Sequence, residues 1–121
     1  MIFTINSESP TAVYLQLHDQ VVLAIAKGEV SVGEQLPTIR ALSDELGINM
    51  MTVSKCYQLL SQEGYIVTDR RSGALISDYE GKGVTRSRMD AMQLHLAELR
   101  LCGMEKSEIL LLCRQMLETL K

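Results

Sequence analysis

LPTIRALSDELGINMMTVSKCYQLLSQEGYIVTDRRSG, residues 36–73, changes its hydrophobic period twice. Ile39, Leu42 and Leu46 recur at helical spacing behind Thr38, whose hydroxyl suits an N-cap, and Gly47 supplies a left-handed stop. Asn49 is a second N-cap, and Val53, Cys56, Tyr57 and Leu60 follow at i, i+3, i+4, i+7, the spacing of one buried helix face, closed by Gly64. The link Gly47-Ile48-Asn49 is as short as a helix-turn-helix requires. Residues 65–69 (YIVTD) and 74–77 (ALIS) are β-rich and flank a four-residue basic loop, Arg70-Arg71-Ser72-Gly73, the pattern of a hairpin. Two helices, a tight turn and a hairpin with a basic tip, in that order, describe a winged helix-turn-helix, which places its second helix in the DNA major groove.

On the amino-terminal side, residues 1–12 read as an extended arm ending at Ser9-Pro10-Thr11. A helix then starts near Thr11, with Val13, Leu17, Val21 and Ile25 as its apolar stripe, Tyr14 and Val22 beside it, and Gly28 as its stop. Gly33 and Pro37 punctuate a turn-rich segment over residues 29–37. On the other side, residues 78–83 (DYEGKG) form a linker. A helix over 86–102 carries Met89, Met92, Leu96 and Leu99 on one side, and Gly103 breaks it. The last helix, 105–120, is apolar at Ile109, Leu110, Leu112, Cys113, Met116, Leu117 and Leu120. Its run ILLLC covers more than one stripe, so more than one face must be buried. One face packs on the preceding helix, and the glycine-containing linker favours a second subunit over the DNA-binding unit as cover for the other.

The expected fold is therefore mainly α with a small β-hairpin: a winged helix-turn-helix over 1–78, then a linker and helical dimerisation region over 79–121. The expected homodimer contacts are Met89, Met92, Leu96, Leu99, Ile109, Leu112, Cys113, Met116, Leu117 and Leu120.

Composition sets the outer bounds. A chain of 121 residues with 46% hydrophobic content holds one domain, or a small domain with an appendage, and can build a real core. With no Trp, one Phe and seven Met, that core must be made of Leu, Ile, Val and Met. No apolar run reaches the roughly 18–20 residues a membrane span needs, and residues 1–9 lack the basic and apolar regions of a signal peptide. Three cysteines without a CxxC pair point to buried free thiols in a reducing cytoplasm. The Met start and the finished last helix favour a complete small protein over the amino-terminal piece of a longer one.

Catalysis finds no support. His18 and His95 lie far apart in sequence, and the chain has no HExxH, no Gly-rich phosphate loop and no Ser–His–Asp set. The Cys102–Cys113 spacing fits no common zinc pattern. No enzyme activity, cofactor or metal is expected. A small apolar effector between the Met-rich helices stays open beside the simpler reading, in which those methionines fill a dimer core.

The net charge of −3 is unhelpful for a DNA-binding protein. Helix geometry answers part of the difficulty. With Val53, Cys56 and Leu60 buried, Met51, Lys55, Gln58 and Gln62 share the opposite face, Thr52 and Ser54 flank its start, and no acidic residue lies between Asn49 and Gln62. A recognition helix reads base edges with its N-terminal residues: Thr, Ser, Gln and Lys can bond bases or phosphates, and Met can touch a thymine methyl. Thr38 and Arg40 open the preceding helix, where they can clamp the backbone, and Arg70-Arg71 can reach a narrow minor groove. The candidate DNA-binding residues are thus Thr38, Arg40, Asn49, Met50, Met51, Thr52, Ser54, Lys55, Arg70, Arg71, Ser72 and Gly73. Asp69 is the one acidic residue of the stretch without an account. The competing reading is a winged-helix module that binds protein and not DNA, consistent with the sequence pI of 5.3.

At these residues the chain resembles the GntR family of bacterial transcription regulators. The resemblance covers about Tyr14 to Ile76, through Tyr14-Leu15-Gln16-Leu17, Gly28-Glu29, Gly33-Glu34-Gln35-Leu36-Pro37-Thr38-Ile39-Arg40, Leu46-Gly47-Ile48-Asn49, Thr52-Val53, Tyr57 and Glu63-Gly64-Tyr65-Ile66. Small size and two C-terminal helices are similar to the YtrA-like subfamily. That resemblance implies a dimeric repressor of a transporter or stress-related operon that binds a double-stranded operator. It also implies DNA contacts from Thr38 and Arg40, a recognition helix carrying Asn49, Thr52 and Lys55, and a wing tip shaped by Gly73. The chain departs from the pattern at Met50-Met51, where Pro and a polar residue are common, and at the wing, where Arg71 stands in place of Gly.

Overall fold

Two side-chain caps set the frame of the helix-turn-helix. Thr38 Oγ1 accepts the Ala41 N–H at 3.0 Å, and Asn49 Oδ1 accepts the Met51 N–H at 2.7 Å, each satisfying an amide the helix start leaves without a partner. The computed structural model describes residues 1–71, 73–79, 81 and 83–121. In chain order it contains α1 (Val13–Lys27), α2 (Ile39–Leu46), α3 (Met50–Gln62), β1 (Ile66–Asp69), β2 (Gly73–Ile76), α4 (Arg86–Leu101) and α5 (Lys106–Glu118). This is the mainly helical winged helix-turn-helix with two following helices that the sequence predicts. The chain divides into two compact units, Met1–Tyr79 and Glu80–Lys121.

In the first unit α1, α2 and α3 pack around Leu17, Val21, Leu42, Val53, Cys56 and Leu60, with Ile66 and Ile76 of the hairpin completing the core. The turn between α2 and α3 is pinned from both sides. Gly47 adopts φ +66°, a region only glycine enters without strain. Ser43, buried on α2, donates its hydroxyl to the Ile48 carbonyl at 2.6 Å and accepts the Ile48 N–H at its own carbonyl at 3.1 Å. His18 on α1 lies between two carboxylates, Asp19 at Nδ1 (2.8 Å) and Glu63 at Nε2, which ties α1 to the end of α3.

Several boundaries differ from the sequence expectation. The arm does not merely extend: Phe3 is buried, and the amides of Gln16 and Gln20 bond the arm's backbone at Asn6, Thr4 and Thr11. α1 begins at Val13 behind an Ala12 N-cap, within two residues of the expected start near Thr11. The segment expected to be only turns pairs with β2 through Leu36 N–H to the Ala74 carbonyl (2.8 Å) and Ile76 N–H to the Glu34 carbonyl (2.9 Å). In the hairpin, Asp69 pairs with Gly73, so β2 begins at Gly73, one residue earlier than expected. Gly73 joins β2 at φ +75°, a left-handed conformation that glycine adopts without strain. Asp69 also finds its account here, since its Oδ1 accepts the Arg71 N–H at 2.8 Å and so shapes the tip.

The expectation of three buried thiols is corrected. Cys56 is buried, Cys113 is half-buried, and Cys102 is exposed because it caps the end of α4, where the chain reverses. Burial, and secondarily the charge of Asp19, pushes the Cys56 thiol from its ordinary 9.0 up to about 12. A thiol-specific disulfide reagent at pH 8 is expected to label Cys102 first and Cys56 only on unfolding. Because the folded pKa is raised, the contribution of Cys56 to stability is intact below about pH 9 and is lost as pH rises toward 12. Thermal melts across that range check the sign.

In the second unit α4 is capped by Thr85 and α5 by a capping box between Glu105 and Glu108. Ile109 is buried, and Leu96, Leu99, Leu112 and Cys113 are half-buried. Met89, Met92, Met116, Leu117 and Leu120 remain exposed. A groove of about 700 Å³ lined by Met92, Leu96, Leu99, Leu112 and Met116 runs along the helix pair.

Candidate nucleic-acid interface

The inward face of α3 fixes which side chains its outer face can offer. Val53, Cys56, Tyr57 and Leu60 are all buried, so Met51, Gln58 and Gln62 turn outward and Met51 is 75% exposed. Tyr57 also reaches across to α2: its hydroxyl donates to the Pro37 carbonyl at 2.6 Å. Burial, and then the neighbouring Cys56, pushes its phenol well above the ordinary range, so it stays a donor. That bond sets the position of Thr38 and Arg40 against α3.

The result is a groove of about 630 Å³ between the start of α2, one flank of α3 and the hairpin. It gathers four of the sequence-predicted residues, Thr38, Arg40, Ser54 and Gly73. It adds Gln58, Ser61, Gln62 and Thr68. Gln58 and Gln62 were legible in the outward stripe of α3, but Thr68 on β1 carried no signal in the sequence. The caps use one oxygen each of Thr38 and Asn49, leaving the hydroxyl hydrogen and the amide N–H groups as donors.

The other predicted residues lie elsewhere. Asn49, Met50 and Met51 are exposed at the start of α3, and Thr52 behind them is half-buried. Arg70 and Arg71 are exposed at the hairpin tip, while Ser72 lies outside the described residues. Lys55 does not join the groove. Its ammonium sits 4.1 Å from the centre of the Tyr14 ring on α1, on the opposite flank of α3. Two of the acidic residues of the stretch are engaged in structure: Glu63 meets His18, and Asp69, which does line the groove, holds the tip turn. Asp44 and Glu45 are exposed on α2 and are absent from the groove lining.

Among the described residues there is no cluster of three or more His, Cys, Asp or Glu able to hold a metal. No described helix is long and apolar enough to cross a membrane.

The family model for bacterial regulatory proteins of the gntR family matches residues 13–76, the span from α1 through β2. The HTH-type transcriptional repressor YtrA of Bacillus subtilis is 33% identical over 95 residues, covering 78% of this chain and 73% of that protein. The HTH-type pyridoxine biosynthesis transcriptional regulator PdxR of Corynebacterium glutamicum is 37% identical over 73 residues, 60% of this chain. This chain spans only 16% of that relative's length. Among solved structures, YtrA from Sulfolobus acidocaldarius, a GntR-family transcription factor, superposes with a TM-score of 0.66 at 36% identity, covering 81% of this chain and 99% of that one. With a match across the whole winged helix-turn-helix and relatives that are regulators and not enzymes, the chain belongs to the gntR family of bacterial regulatory proteins, as a YtrA-like, DNA-binding transcriptional regulator.

Proposed function

We propose that this regulator acts in the cytoplasm as a homodimeric repressor of a transporter or stress-related operon, each protomer seating the start of α3 in the major groove of one operator half-site. The observation that carries this reading is the acid-free, exposed beginning of α3, bordered on one flank by the Arg40 groove and on the other by Lys55. In it, Thr38, Arg40 and Lys55 hold the backbone, Asn49, Met50, Met51, Thr52 and Ser54 face base edges, and Arg70, Arg71, Ser72 and Gly73 form the wing contact. Met50 and Met51 offer apolar contact to thymine methyls. The repressor sign follows the similarity to YtrA of Bacillus subtilis. The dimer follows from the exposed apolar side chains of α4 and α5, which a lone helical hairpin leaves in water. In this dimer the second copy fills the α4–α5 groove, giving its methionines a core role; a small apolar effector is the other occupant it can take.

Selection of bound duplexes from a random-sequence library tests the reading. A two-fold-related site is expected, with half-site centres one helical turn or a multiple apart, and log K should fall steeply as log salt rises. Recovery of no enriched sequence at low salt would overturn it. Loss of the regulator should raise transcripts from the adjoining operon, and a fall would reverse the sign. Arg71→Ala is expected to weaken operator binding severalfold and leave the melting temperature unchanged, since the tip is exposed. Titration of the variant beside a thermal melt measures both.

A further inference from the structure

We infer that Tyr14 is a positioning residue for DNA binding, holding the Lys55 ammonium against α1 so that it meets a backbone phosphate and not a base edge. The inference rests on the operator-binding reading above, in which Lys55 holds the backbone, and adds to it the residue that positions Lys55 there. From sequence alone Lys55 fits either a phosphate or a guanine. The structure separates the two by flank. Ser54, Gln58 and Ser61 border the groove shared with α2 and the hairpin, whereas the Lys55 ammonium lies 4.1 Å from the Tyr14 ring centre on the side of α1. Met51, near the start of α3, is 75% exposed and has no aromatic ring among the described residues holding it to a flank, so it is free to meet a base edge opposite the helix.

The chemistry suits the task. An ammonium over an aromatic face is attracted by the ring quadrupole. Lysine carries a long flexible stem, and fixing it on binding costs rotamer entropy. A ring that already restrains the stem lowers that cost at the moment of contact. Tyr14 can serve as an anchor because it is half-buried and packed against the core of its unit. It keeps the ammonium exposed, since Lys55 itself is exposed, and an ammonium on a ring face still has N–H groups to donate to a phosphate.

A double-mutant cycle on the intact protein tests this, using the duplex recovered by selection and base-substituted versions of it, with salt varied between about 50 and 200 mM. Tyr14→Leu is expected to weaken binding about two- to fivefold. Tyr14→Phe, which retains the ring face, should restore most of that loss. In a Lys55→Met background, Tyr14→Leu should cost nothing further. Lys55→Met alone should weaken binding to all the duplexes alike and reduce the salt slope by about one. A melting curve for each variant, with titrations run well below the transition, separates loss of fold from loss of contact. Additive losses in the double variant, or Tyr14→Phe as weak as Tyr14→Leu, would overturn the positioning role. A loss for Lys55→Met confined to substitutions at one guanine would overturn the phosphate assignment. If the unaltered protein binds no duplex, it is the operator-binding reading that fails, and that result is distinct from either.

Discussion

Leu117→Asp is expected to convert the regulator from dimer to monomer and to lower operator affinity by about 10²–10⁴-fold, the range by which two linked sites exceed one. Leu117 is 65% exposed on α5, so the substitution leaves no cavity in the protomer, and the melting temperature should lose only the concentration-dependent share that association contributes. What it changes is the cost of covering that surface with a second copy, because a carboxylate entering an apolar interface must be desolvated without a partner. Sedimentation reads the oligomeric state, and titration on a full operator and on a half-site separates the two effects. Full-operator affinity should collapse toward half-site affinity, while half-site affinity stays as it was. A variant that remains dimeric at micromolar concentration would remove α5 from the interface. One that becomes monomeric yet keeps full-operator affinity would show that the two half-sites are not read together.

The elements of the winged helix-turn-helix were legible because each is written locally. Thr38 and Asn49 cap their helices where a hydroxyl and a carboxamide would be expected to, and Val53, Cys56, Tyr57 and Leu60 bury the face their spacing defines. What was not legible depends on contacts between distant segments. Nothing in Gly33–Leu36 announces strand pairing, since its partner is Ala74–Ile76 forty residues on. Phe3 joins the core only because Gln16 and Gln20 clasp the arm beside α1, and glutamines on a helix read as solvated. The role of Asp69 is likewise set by the turn it closes, where its carboxylate accepts the Arg71 N–H at the edge of the groove.

The candidate site divides along the same line. The outward stripe of α3 follows from helical period, so Met51, Gln58 and Gln62 fall where the sequence puts them. The period could not say that Lys55 leans toward α1, because Tyr14 is forty-one positions earlier and only packing brings the ring beneath the ammonium. Nor could it place Thr68 in the groove, since a threonine on a short strand has no spacing that marks it. The exposure of Cys102 is hidden from the sequence for a related reason. Its position at the end of an apolar pattern suggests burial, but as the cap of α4 it faces the turn.

Leu60→Ala is the variant expected to affect the DNA-binding unit most. Leu60 is fully buried on α3 among residues of the core cluster, and truncating such a leucine costs about 2–5 kcal/mol, the loss of transfer energy plus the cavity left behind. Against the roughly 5–15 kcal/mol that holds a domain folded, this is a large share. Chemical denaturation should show the midpoint falling with the slope unchanged. Operator affinity should fall as well, yet by a different route from that of Arg71→Ala. Leu60 makes no DNA contact in the proposed interface, so the loss should track the fraction of protein unfolded: near zero on cooling to the temperature of greatest stability, and steep as the melting transition is approached. The salt slope of the folded fraction should be unaltered, because no phosphate contact has been removed. A loss that persists in full at low temperature would mean instead that Leu60 sets the seating of α3 in the groove, and that the cavity tilts the recognition helix without unfolding it.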